Sequence, residues 1–292
     1  WRRDNVSDFV QALYREVKAR RPAVKVGISP FGIWRPGHPP GVSGLDAYRE
    51  IYADSRRWLR EGWLDWLAPQ LYWAVDGEQR RFVRLDAWWR EQNPRGRHLY
   101  PGLLTMRVGS RGAPWPAAEI PAQIDALRAA RRGTPEAQGH IHFRLRTLVG
   151  GSPLGALLAD GAYADRALPP ALPWLGDSTP GAPRVTLACA ADRTASDSTR
   201  AVFTVASGSS AAPAGAPVPP ITLGASDGPT PRWWLVQLRD TAGTWRTRLL
   251  RAGAPDALAP AGVPELGGAA ILGVSAVSAS GVASVPTVGR LR

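Results

Sequence analysis

Lysine is nearly absent from this chain. Lys18 and Lys25 are the only two, so arginine carries almost all of a net charge of +12 over 292 residues. Cysteine is scarcer still. Cys189 stands alone, which excludes an internal disulfide and leaves the redox compartment open. No Cys/His cluster is present, so no structural zinc site is expected, and no other metal or cofactor. No stretch approaches the roughly 18 apolar residues of a membrane-spanning helix. No G-x-G-x-x-G turn stands after a strand, which weighs against a doubly wound dinucleotide-binding sheet. Basic residues form no long run. The arginines lie singly or in pairs, as at Arg2–Arg3, Arg20–Arg21, Arg56–Arg57 and Arg131–Arg132. That distribution reads as solvated helix faces rather than a phosphate-binding patch, so no nucleic-acid partner is expected. The chain also has neither a starting Met nor the apolar core of an export signal. It opens directly into "WRRDNVSDFVQALYREVKAR", with Val6, Phe9, Val10, Leu13 and Val17 at helical spacing, and reads as part of something longer.

What is present is an alternation of helix and strand over the first 175 residues. The runs "VKVGISPFGIW" (24–34), "LDWLAPQLYW" (64–73), "HLYPGLLTMRV" (98–108) and "GHIHFRLRTLV" (139–149) read as strands. Helices are expected from Asp46 through Tyr48, Ile51, Tyr52, Trp58 and Leu59, near 78–92, through Ile120, Ile124 and Leu127, and from Pro153. Strands recurring every 35 to 40 residues or so, each followed by a helix, have the period of a βα unit. Four such units make half of an eight-unit barrel. A proline-rich seam then breaks the pattern, and short alternating runs follow ("RVTLACAA", "TRAVFTVAS", "RWWLVQLRD", "TWRTRLLRA", "AAILGVSAVS"). They read as a β-sandwich with a hairpin at Asp240–Gly243. The expected organisation is an α/β half-barrel at 1–175, a linker at 176–183 and an all-β module at 184–292.

Four blocks carry a resemblance: "WRRDNVSDFVQALYREVKARRPAVKVGISPFGIWRPG", "YADSRRWLREGWLDWLAPQLYW", "WWREQNPRGRHLYPGL" and "ALPPALPWL". In that order and spacing they resemble the bacterial glycosyl-hydrolase-like family 10. The resemblance implies the C-terminal half of a (β/α)8 barrel from a cell-envelope, periplasmic or surface protein. The implied substrate is a polysaccharide, the glycan strands of peptidoglycan. A fibronectin-III-like module after the barrel is also implied. The family's acidic block lies upstream of the part that Trp1 onward resembles, so the resemblance implies that this chain lacks it.

Hydrolysis of a glycosidic bond ordinarily needs two carboxyl groups about 5–10 Å apart. None stands at the expected strand ends. Asp76 and Glu78, just after the second strand, are the nearest candidates; a turn cap and a first-turn helix acid are the simpler reading of them. The strand ends offer groups suited to binding sugars: Ser29 and Trp34, then Gln70, Tyr72 and Trp73, then His142 and Arg144. Aromatic faces stack on sugar C–H surfaces, and amides and imidazoles bind hydroxyls. Gln70 and Tyr72 are two apart and should share a face. His142, Arg144 and Arg146 should share the polar face of the fourth strand, with Ile141, Phe143 and Leu145 on its apolar side. Ser29, Gln70, Tyr72 and His142 are thus expected on one rim. The alternative is a non-catalytic carbohydrate- or envelope-binding protein. A half-barrel would also leave strand edges open to self-association.

Overall fold

The computed structural model describes residues 1–78, 81–110, 114–134, 139–164, 167–168, 170–175, 179–187, 221–224, 230–252 and 269–290. Cys189 and the run "TRAVFTVAS" lie outside them. The chain divides into two compact units, Trp1–Ala164 and Asp165–Arg292.

The first unit is built from α1 (Arg2–Arg20), β1 (Gly27–Ile28), α2 (Ala47–Glu50), α3 (Ser55–Glu61), β2 (Trp66–Leu67), α4 (Arg81–Glu91), β3 (His98–Leu99), β4 (Gly102–Leu103), α5 (Glu119–Ala130), β5 (Ile141–His142) and α6 (Pro153–Asp160). Every pairing among its strands is parallel. Gly27 pairs with Trp66 and Trp66 with His98. Gly102 pairs with Ile141. Bridges from Gln70 to Phe31 and to Gly102 continue the ladder towards the strand ends. The expected strands thus lie side by side in chain order, β3 and β4 together forming the third. Their regular ladders are far shorter than the apolar runs from which they were read.

Two faces result. Leu67, Leu71, Leu99 and Leu103 are fully or almost fully buried with Leu59, Phe82, Leu85, Trp89, Ile120 and Ile124 of the helices. The other face carries Trp66, whose ring lies where a side chain at Gly27 would stand: an added Cβ would come within 1.8 Å of it. Glycine is therefore required at 27 by close approach rather than by backbone angle.

Specific polar ties fix the helices. The Trp58 indole of α3 donates to Ser7 Oγ of α1 at 3.1 Å, and the Trp89 indole of α4 donates to the Gly32 carbonyl at 2.8 Å. At the start of β2 the fully buried Asp65 carboxylate meets Lys18 Nζ at 2.6 Å and accepts the Val26 N–H at 2.7 Å. One of the two lysines is thus structural. Arg131, expected on a solvated face, is 1 % exposed. Its guanidinium forks onto Asp86 of α4 at 2.7 and 3.1 Å. The helix expected from Asp46 to Leu59 is two: Asp46 caps the four-residue α2 and Asp54 caps α3, with Ile51 to Asp54 turning between them.

In the second unit β8 (Trp233–Asp240), β9 (Trp245–Arg251), β10 (Ala269–Val277) and β11 (Thr287–Arg290) form an antiparallel sheet in the order β11-β10-β8-β9. The short strands β6 (Arg184–Leu187) and β7 (Ile221–Gly224) form a separate antiparallel pair. Trp234, Val236, Leu238, Leu272, Val274 and Ala276 alternate into its core. The β8–β9 hairpin turns at Asp240, whose carboxylate accepts the Thr244 N–H at 2.8 Å. Within the proline-rich seam Leu172 is fully buried in this unit and its N–H donates to the Ser280 carbonyl at 3.0 Å. Pro183 is held too, its carbonyl accepting from Thr287 Oγ1 at 2.6 Å.

Candidate functional site

Strand register decides which expected residues meet. Residues paired across a parallel ladder point to the same side of the sheet. Gly102 pairs with Gln70 and with Ile141, and a Cβ on Gly102 would touch the Tyr72 ring at 3.4 Å. Gln70, Tyr72 and Ile141 therefore share the face not covered by helices. Ser29 joins them, since Ile28 is paired with the buried Leu67 and its neighbour must point the other way. The Gln70 amide Nε2 donates to the Ser29 carbonyl at 3.2 Å, and Ser29 Oγ donates to the Ala68 carbonyl at 3.0 Å. Tyr72 is half-buried, which raises its pKa. Among the described residues no group meets its hydroxyl. Deeper on the same face, the Tyr100 hydroxyl and His98 Nδ1 are hydrogen-bonded at 2.8 Å beside Trp66. Burial pushes the Tyr100 phenol up to about 12.

His142 does not join this rim. It pairs in register with Leu103, a core residue of the helix-covered face. Its Nε2 meets the hydroxyl of Tyr163, which follows α6, at 2.5 Å, and His140 Nε2 meets the same hydroxyl. One hydroxyl can donate to one imidazole nitrogen and accept from the other, which suits two neutral histidines, while His142 Nδ1 is buried and meets no described group. Burial lowers His142 to about 4. Burial first, then His142, Arg128 and Arg131, lower His140 to about 3. Tyr163 is raised by burial to about 12. The expectation that His142 and Tyr72 share a rim thus fails on strand alternation. The strand is only two residues long and ends at His142, so the alternation predicted for Arg144 and Arg146 fails as well. Arg144 leads into a 3-10 turn, Leu145–Thr147, that contains Arg146. Ile141, Phe143 and Leu145 form no buried side: they are 38 %, 47 % and 69 % exposed.

Trp34 is 7 % exposed and stacks on Trp88 at 6.0 Å, with His38, Tyr48 and the Arg56 guanidinium around it. Its indole donates to Asp54 at 3.1 Å. It is a core residue that anchors the loop, and it offers no free ring face. Trp73 packs its edge on Phe31 at 6.2 Å. Asp76 is exposed, and Glu78 forms an exposed ion pair with Arg81 at 3.7 Å. Among the described residues no carboxylate stands on the open face at a strand end.

Sequence reading missed one carboxylate near this rim. Glu119 Oε1, at the start of α5, accepts the Val75 N–H at 2.8 Å and Gln123 Nε2 at 2.8 Å, and Gln123 Nε2 also donates to the Trp73 carbonyl at 3.2 Å. The pair grips the loop that leaves Tyr72. Its partners lie more than forty residues away in sequence and are mostly backbone atoms, so no local pattern announces it.

A parallel βα sheet with amide, hydroxyl and aromatic groups on its open face is a scaffold of the kind glycoside hydrolases use. Residues 1–115 match the glycosyl hydrolase-like 10 family model. The Bacillus subtilis (strain 168) glycosyl hydrolase YngK is 36% identical over 195 residues, 64% of this chain and 38% of that protein. The Escherichia coli (strain K12) glycosyl hydrolase DigH is 35% identical over 156 residues, 49% of this chain and 35% of that protein, and the Shigella flexneri DigH matches equally. The aligned part of this chain spans little more than a third of each relative's length.

Proposed function

We propose that the first unit supplies the saccharide-binding floor of a cell-envelope glycoside hydrolase that acts on glycan strands, peptidoglycan glycan foremost, in the periplasm or at the cell surface. The observation that carries this reading is the convergence of Ser29, Gln70 and Tyr72 on the open face of a parallel sheet. The names of the relatives support the reaction class. The antiparallel second unit is read as a fibronectin-III-like accessory module of the same protein. Binding groups without an acid, base or nucleophile lower no barrier on a glycosidic bond. Cleavage therefore needs carboxylates beyond these strand ends, which the longer relatives have room to supply. That no described carboxylate stands on the open face also favours a second reading, a carbohydrate-binding protein without catalysis.

The test is release of reducing ends from peptide-free peptidoglycan. This chain is compared with a version extended upstream to the length of its relatives. The expected result is turnover by the longer protein alone. Binding without turnover by both establishes the second reading. Equal turnover by both contradicts the account and makes Asp76 and Glu78 the first residues to replace.

A further inference from the structure

We propose that Phe143 is a sugar-stacking residue and that it forms with Tyr72 a two-ring platform for the apolar face of a pyranose. The proposal rests on the saccharide-site reading above and deepens it.

Three observations lead to it. The register that turns His142 towards the helices turns Phe143 the other way, onto the face of Gln70 and Tyr72. The two rings then lie 5.9 Å apart between centroids, with planes 32° from parallel. Phe143 is also held at both backbone groups: its N–H donates to the Leu103 carbonyl at 2.8 Å, and its carbonyl accepts the Met106 N–H at 3.0 Å. A phenyl group carried on backbone fixed in this way at a strand end, yet 47 % exposed, contributes little to the core. Its surroundings match the two-sided chemistry of a pyranose. The rings meet the C–H face. The Gln70 amide, Ser29 and the Tyr72 hydroxyl stand beside them for equatorial hydroxyls. A purely apolar occupant, such as a helix face, would offer no partner to the Tyr72 hydroxyl, which no described group meets, or to the remaining hydrogen-bonding capacity of Gln70 and Ser29.

The experiment is calorimetric titration of the 292-residue chain with a soluble β-1,4-linked N-acetylglucosamine hexamer. It uses Phe143→Ala, Phe143→Leu, Phe143→Tyr, Tyr72→Ala and Gln70→Ala variants and follows self-association by sedimentation. The expected result is that Phe143→Ala and Phe143→Leu weaken binding about tenfold while Phe143→Tyr, which keeps a flat ring, stays within about twofold. Phe143→Leu preserves bulk and carries the test where the alanine variant loses its fold. Unchanged affinity in Phe143→Ala or Phe143→Leu, beside weakened Tyr72→Ala or Gln70→Ala, overturns the platform and leaves the site standing. No hexamer binding by the unaltered chain overturns both. A Phe143 variant that alters self-association and leaves glycan affinity intact assigns the ring to a second copy of the chain, and the proposal fails.

Discussion

At the scale of single residues, the His140–His142–Tyr163 trio has a consequence for stability. Both imidazoles are held below the ordinary histidine value of about 6.5, to about 3 and about 4. In the unfolded chain they take up protons near pH 6.5; in the folded chain they resist until far lower pH. The unfolded state therefore binds more protons between those limits. The stability from the neutral trio is complete above pH 6.5 or so and is lost as pH falls towards 4. Arg128 and Arg131 face His140 and reinforce the trend. The midpoint of thermal unfolding should thus fall between pH 7 and pH 5, and a His140→Phe/His142→Phe variant should show a flatter slope. Parallel slopes in the two proteins would contradict the assignment. The Asp86–Arg131 fork carries a second expectation. Arg131→Met leaves a buried carboxylate without its main partner and should cost about 3–5 kcal/mol by denaturant titration, whereas a loss below about 1 kcal/mol would show the pair to be dispensable.

At the scale of elements, apolar periodicity made the helices and the strand order legible. Ile120, Ile124 and Leu127 do line the buried side of α5, and the four strands do run parallel in chain order. What periodicity could not give was where each ladder stops. The fourth strand ends at His142, four residues short of Arg146, to which the expected alternation extends. The sequence places Phe143 on the strand's apolar side and His142 on the rim; register turns His142 towards the helices instead. Trp34 fills the core for a different reason that the sequence does not show: a tryptophan beside a long Pro/Gly loop has the same local signature whether it covers a site or fills a core. Glu119 and Gln123 show what tertiary contact adds. Glu119→Ala removes the acceptor of the Val75 N–H and should loosen the loop after Tyr72. Hexamer affinity should fall several-fold with little change in unfolding midpoint, and Glu119→Gln, which keeps an acceptor oxygen, should recover most of it. Equal losses in both variants would mean that the charge, not the hydrogen bond, matters.

At the scale of the whole molecule, the first unit presents a parallel sheet whose outermost strands, β1 and β5, each pair on one side only among the described residues. Beside β5 stand the exposed Ile141, Phe143 and Leu145. Unpaired edges next to apolar side chains favour strand pairing between chains. The 292-residue chain should therefore show an apparent mass that rises with concentration in light scattering, and a constant monomer mass would contradict this. The second unit carries its own aromatic surface, Trp245, 51 % exposed with the Arg239 guanidinium 6.0 Å from its ring centroid. It is the competing location for sugar binding. Amide shift mapping of the isotopically labelled chain with the N-acetylglucosamine hexamer distinguishes them most directly. The account predicts perturbed amides at Ser29, Gln70, Tyr72 and Phe143. Perturbations confined to Trp245 and its neighbours, or to the His142–Tyr163 side of the sheet, would contradict it.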